Sequence, residues 1–143
     1  MKFIDSKFMR DICNVTKQSY DNGWDERNGG NISIRITEDE LKDFDDVKEV
    51  KRTFDLGFDA KEVAGQYFLV TGTGRYFRNV ISRPTEDVGL VKITEDGKHA
   101  DLHWGYEDGA KPTSEFPTHL MSHIARLKTD KNQRVVMHCH PTN

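Results

Sequence analysis

The chain has 143 residues, 35% apolar and 10% aromatic, enough to bury one core of ordinary size and too apolar for a disordered chain. Its 24 acidic and 21 basic side chains nearly cancel to a formal charge of −3, and no Lys/Arg block interleaves with aromatics, so no nucleic-acid partner is expected. The N-terminal residues run straight into charge and no apolar stretch is long enough to span a bilayer, which points to a soluble, cytoplasmic protein with no membrane partner.

From Phe3 to about Tyr20 the residues Ile4, Phe8, Ile12 and Val15 recur at helical spacing, and Asn22-Gly23 supplies a stop. The alternation of Ile32, Ile34 and Ile36 with Ser33 and Arg35 predicts a strand fed by a glycine turn. Thr37 to Val50 is dense in charge and opens with Thr37 and Glu40 at capping-box spacing, which predicts a helix packed weakly on the surface. Gln66–Thr71 reads as a buried strand, and Val88–Ile93 and Ala100–Trp104 as two more, separated by an Asp96-Gly97 turn. Helical spacing returns from Pro117 through Leu127, and Val135–Met137 forms a short apolar strand that leads into His138. The two cysteines, Cys13 and Cys139, lie too far apart in sequence to form a disulfide framework and are read as reduced thiols. No repeat or interdomain linker occurs, so residues 1–143 are expected to form one α/β domain, with helices covering a mainly antiparallel sheet.

Four short motifs carry potential chemistry. In His138-Cys139-His140 the two imidazoles point the same way from an extended strand, and neutral imidazoles suit zinc. Two histidines leave such an ion short of a third ligand, and the alternative is a pair satisfied by hydrogen bonds at a strand end. The turns Asn28-Gly29-Gly30-Asn31 and Thr71-Gly72-Thr73-Gly74 offer backbone amides beside short polar side chains, as anion-binding nests do. Thr113-Ser114 precedes a helix start, where free amides and the helix dipole favour phosphate. Each turn taken alone also fits ordinary turn chemistry. Glu115 lies beside that site and is a candidate general base, the alternative being a plain helix N-terminal carboxylate. A rival metal site is the stripe Glu115, His119, His123 at i, i+4, i+8, although Pro117 interrupts it and it borders the apolar helix face.

The order Arg27-Asn28-Gly29-Gly30-Asn31-Ile32-Ser33, Val70-Thr71-Gly72-Thr73-Gly74, Phe77-Arg78-Asn79-Val80, Pro112-Thr113-Ser114-Glu115 and His138-Cys139-His140-Pro141-Thr142-Asn143 resembles the class II aldolase/adducin family over nearly the whole chain. That resemblance implies a three-layer α/β/α sandwich around a mixed, mostly antiparallel sheet. It implies reversible cleavage of a small-molecule sugar phosphate, L-rhamnulose 1-phosphate, to dihydroxyacetone phosphate and L-lactaldehyde in rhamnose catabolism, using one zinc per subunit and no Schiff-base lysine. By the same resemblance His138 and His140 hold the metal and Glu115 handles the proton. Asn28, Gly30, Asn31, Thr73, Gly74, Thr113 and Ser114 line the ketone and phosphate end, with Thr73 where serine is frequent. Family members are homotetramers whose chains run past the His-x-His strand to a third histidine ligand, so these residues are expected to form an incomplete and inactive part of the site. Related readings are another class II sugar-phosphate aldolase, a pentulose-phosphate 4-epimerase, or an adducin-like binding domain without catalysis.

Overall fold

The computed structural model describes residues 2–21, 31–72, 80, 83–130, 132 and 134–138. The opening helical pattern is split in two. A 3-10 turn at Phe3–Asp5 is followed by helix α1, Lys7–Asp21, where the Ser6 hydroxyl accepts the Met9 amide at 3.2 Å as an N-cap. Phe8, Met9 and Ile12 form the buried stripe of α1, and the Phe3 ring meets Phe44 and Trp104 edge-on.

Six strands form one sheet: β1 Asn31–Ile36, β2 Arg52–Asp55, β3 Tyr67–Thr71, β4 Val88–Ile93, β5 His99–Gly105 and β6 Val135–His138. Their order is β2-β5-β4-β3-β1-β6. Every pairing between these strands is antiparallel, so the described residues contain no parallel component of the expected mixed sheet. Side chains alternate between the two faces. Ile32, Ile34 and Ile36 join Tyr67, Leu69 and Leu90 in a core with α1. Phe68, Val70, Val91 and Leu102 join Phe116 and Leu120 in a second core on the opposite face. These last two belong to helix α3, Phe116–Thr129, while a single turn α2, Pro84–Asp87, leads into β4. The layers are therefore helix, sheet, helix, as expected for an α/β/α sandwich.

The expected helix over Thr37–Val50 is absent. The capping box does form, with Thr37 N–H donating to Glu40 Oε1 at 3.0 Å and Glu40 N–H to Thr37 Oγ1 at 3.3 Å, but it opens only a 3-10 turn at Asp39–Leu41. A second 3-10 turn follows at Asp45–Val47. Leu41, Phe44 and Val47 recur every three residues, the 3-10 period, and all three are buried. The Asp46 carboxylate leaves the segment to accept the Phe3 amide at 3.0 Å. Strand β2 carried too little alternation to be foreseen.

The expected turn between β4 and β5 is present, with Gly97 at φ +71. A tighter constraint lies where β5 ends. Gly105 has φ +90, and a Cβ there would sit 2.1 Å from the Val88 carbonyl oxygen. The chain then passes through Tyr106 at φ 48, whose ring lies over Gly89 and whose hydroxyl donates to the Val70 carbonyl at 2.8 Å.

Candidate active site

The N-terminus of β1, the C-terminal ends of β3 and β6 and the start of α3 meet at one end of the sheet. Antiparallel register sets Asn31 across from His138 and Ser33 across from Val70. Thr71 and the segment before α3 are joined by the Thr113 amide, which donates to the Thr71 carbonyl at 3.0 Å, and by a bridge between Gly72 and Pro112. The Thr71 hydroxyl in turn accepts the Ile32 amide at 3.1 Å. Parts of three sequence motifs, at positions 31–33, 71–72 and 112–113, are thus fastened to one another by hydrogen bonds.

Helix α3 begins at Phe116 with Pro117 in its first turn, where a missing N–H costs nothing. Glu115 is its N-cap, and the Glu115 carbonyl accepts the His119 amide at 3.1 Å, so the proline leaves the stripe from Glu115 to His119 and His123 intact. Asn31, projecting from β1 toward α3, donates from Nδ2 to Glu115 Oε2, and its Oδ1 faces His119 Nε2. Ser33, two residues along the same face, contacts His119 Nδ1 at 2.7 Å and His123 Nε2 at 2.8 Å. The rival i, i+4, i+8 stripe is therefore threaded by two β1 side chains, and the described residues contain no group of three or more metal-ligating side chains.

His123 is 1% exposed, and its pKa is pushed down to about 3, first by burial and then by the proximity of His119, Arg126 and Arg35. Its ring tilts over Phe68 with centroids 4.8 Å apart. His123 Nδ1 has no hydrogen-bond partner among the described residues.

Of the amides expected to be free before α3, those of Thr113, Glu115 and Phe116 are already used: Thr113 donates to Thr71 O, Glu115 to Thr113 Oγ1 at 3.4 Å, and Phe116 to Thr113 O. The segment also offers an anion two hydroxyl groups, with Ser114 exposed and Thr113 buried. Both residues also line a cavity of about 460 Å³ together with Thr53, Lys111 and Phe116. Among the other expected site residues, Asn28, Gly30, Thr73, Gly74 and His140 lie outside the described residues, as does Cys139, and His138 is described only as the last residue of β6. Cys13 is a free, half-buried thiol whose pKa is raised by burial. No helix among the described residues is long and apolar enough to cross a membrane.

Ser33 was not anticipated as part of the site. The signal was present, since Asn31, Ser33 and Arg35 share one strand face, but an alternating polar face ordinarily meets solvent, whereas here all three are buried beneath α3.

The family profile described as class II aldolase and adducin N-terminal domain matches residues 10–143. The chain is 51% identical over 140 residues to a rhamnulose-1-phosphate aldolase of Listeria monocytogenes, covering 98% of this chain and 51% of that protein. It is 46% identical over 143 residues to a rhamnulose-1-phosphate aldolase of Enterococcus faecalis, again covering 51% of the relative. The crystal structure of a sugar-phosphate aldolase from Thermotoga maritima superposes with a TM-score of 0.73 at 34% identity, over 94% of this chain and 55% of that one. The chain thus spans about half the length of the curated relatives it matches.

Proposed function

Because the chain belongs to the class II aldolase and adducin N-terminal domain family, we propose that it carries the proton-handling part of a metal-dependent lyase that reversibly cleaves L-rhamnulose 1-phosphate to dihydroxyacetone phosphate and L-lactaldehyde. The observation that carries the reading is the hydrogen bond from Asn31 to Glu115, which joins residues 84 positions apart in two motifs that the family resemblance assigns to one site. The names of the Listeria and Enterococcus relatives support the choice of substrate.

In this reading Glu115 takes up and returns the proton that moves as the carbon–carbon bond is broken or made. Asn31 holds its carboxylate in place. The hydroxyls of Thr113 and Ser114, with Asn28, Gly30, Thr73 and Gly74, are assigned by the family resemblance to binding the phosphate and ketone end. His138 and His140 are the metal ligands contributed by this chain. Their fit to a borderline divalent ion such as zinc rests on two imidazoles in His-x-His spacing and on the register of β6, which sets His138 beside Asn31 at the Glu115 end of the sheet. When bound, the metal supplies Lewis-acid polarisation of the ketone and stabilises the negative charge that develops on the dihydroxyacetone portion.

The protein is further proposed to be a cytoplasmic homotetramer acting in rhamnose catabolism, with residues 1–143 contributing a single domain; light scattering tests the assembly. The substrate is tested by incubating the metal-loaded protein that carries this chain with L-rhamnulose 1-phosphate, L-fuculose 1-phosphate and a pentulose 5-phosphate. Release of dihydroxyacetone phosphate is expected to be fastest from the first. Preference for the second, or epimerisation of the third, would move the assignment to another branch of the family.

A further inference from the structure

The site has a buried backing whose hydrogen bonds run in one direction. A carboxylate oxygen only accepts, so the Asn31 amide turns its Nδ2 to Glu115 and its Oδ1 to His119. Oδ1 in turn requires the proton of His119 on Nε2. The neutral ring then presents a lone pair at Nδ1, which takes the Ser33 hydroxyl proton across 2.7 Å. Ser33 Oγ is left as an acceptor for the Nε2–H of His123 at 2.8 Å, and the His123 Nδ1 lone pair is the end of the chain. The reverse direction would set the Asn31 carbonyl against the Glu115 carboxylate at one end. It would also bury an unpartnered N–H of His123 at the other, which is costlier than a bare ring nitrogen lone pair. Protonation of His119 is opposed for the same reason, because its Nδ1–H would turn the Ser33 hydroxyl to donate to His123 Nε2 and leave the His123 proton on its unpartnered Nδ1. Ser33, His119 and His123 are 0%, 2% and 1% exposed, so water does not offer substitute partners.

We propose that Ser33, His119 and His123 are positioning residues: a one-way relay that fixes the amide plane of Asn31 and, through it, the Glu115 carboxylate. The catalytic consequence rests on the aldolase reading above. The direction of the relay does not.

Long-range ¹H–¹⁵N spectra of the histidine-labelled protein carrying this chain test the direction without any activity measurement. At pH 7 both His119 and His123 are expected as neutral rings protonated on Nε2. Ser33→Ala leaves His119 Nδ1 and the His123 Nε2–H without a partner, and is expected to keep the Nε2–H form of His119 while loosening its ring and lowering kcat about 10–100-fold with little change in KM, the usual cost of losing an orienting partner. Ser33→Thr, which keeps the hydroxyl, is expected to retain the Nε2–H form and recover most of that kcat. Should Ser33→Ala fail to fold, His123→Leu removes the last donor and is expected to lower kcat in the same direction by less. A His119 that carries its proton on Nδ1, or on both nitrogens, overturns the relay. So does a folded Ser33→Ala protein with undiminished kcat in a background where Glu115→Gln is inactive. Wild-type tautomers as drawn in a protein that cleaves no sugar phosphate would support the relay and overturn the aldolase reading.

Discussion

At the scale of single residues, Glu115 and His123 make opposite demands on their surroundings. In the proposed reaction Glu115 exchanges a proton, whereas burial keeps His123 neutral down to low pH. The folded His123 has a pKa of about 3 against an ordinary 6.5, so between those limits the unfolded chain binds a proton that the folded chain refuses. Stability is therefore full above about pH 6.5 and falls as the pH drops toward 3, by about 1.4 kcal/mol for each pH unit from this group alone. The buried His103, also lowered chiefly by desolvation, adds loss of the same sign. Urea midpoints are expected to fall between pH 7 and pH 5, and His123→Leu to flatten that slope. A midpoint that does not move with pH would show that His123 protonates freely in the fold. Glu115 and Asn31 were legible in the sequence because each belongs to a motif. Ser33, His119 and His123 were not legible as a unit. The pattern places histidines beside an apolar helix face but cannot say that a serine 86 residues earlier will lie between them.

At the scale of elements, strands and the site-bearing helix were readable where one periodicity dominated. Ile32 to Ile36 alternates, and Leu120, Ile124 and Leu127 mark α3, so both appear where expected. Thr37–Val50 failed because the capping box is a local signal, whereas the path of the chain is decided by burial of Leu41, Phe44 and Val47 against the Phe3 side of the core. The turn after β5 depends on one residue. Gly105→Ala is expected to cost on the order of 1–3 kcal/mol, from strained φ together with a clash against the Val88 carbonyl. Gly57→Ala shares a positive φ, +62, but meets nothing within 4 Å and is expected to cost about 1 kcal/mol or less. Denaturant titration of the two variants separates strain from contact, and equal losses would mean that the close approach of Gly105 to β4 contributes nothing.

At the scale of the whole molecule, the sheet acts as the register that assembles the site. Adjacent strands β6, β1 and β3 bring His138, Asn31 and Thr71 to one end, and α3 returns Glu115 to the same place from the opposite layer. The mixture of helical and strand patterns predicted an α/β layered fold, and helices do cover both faces of one sheet. The sheet order was not readable, because antiparallel pairing between β1 and β6, about a hundred residues apart, leaves no local trace.

The most direct measurement is release of dihydroxyacetone phosphate from L-rhamnulose 1-phosphate by a chimera in which residues 1–143 replace the matching half of the Listeria monocytogenes relative, assayed with and without Glu115→Gln. The aldolase reading requires turnover by the metal-loaded chimera and a loss of about 10²–10⁴-fold in kcat on Glu115→Gln. A folded, metal-loaded chimera that releases no product, or one whose rate is indifferent to Glu115, would contradict it.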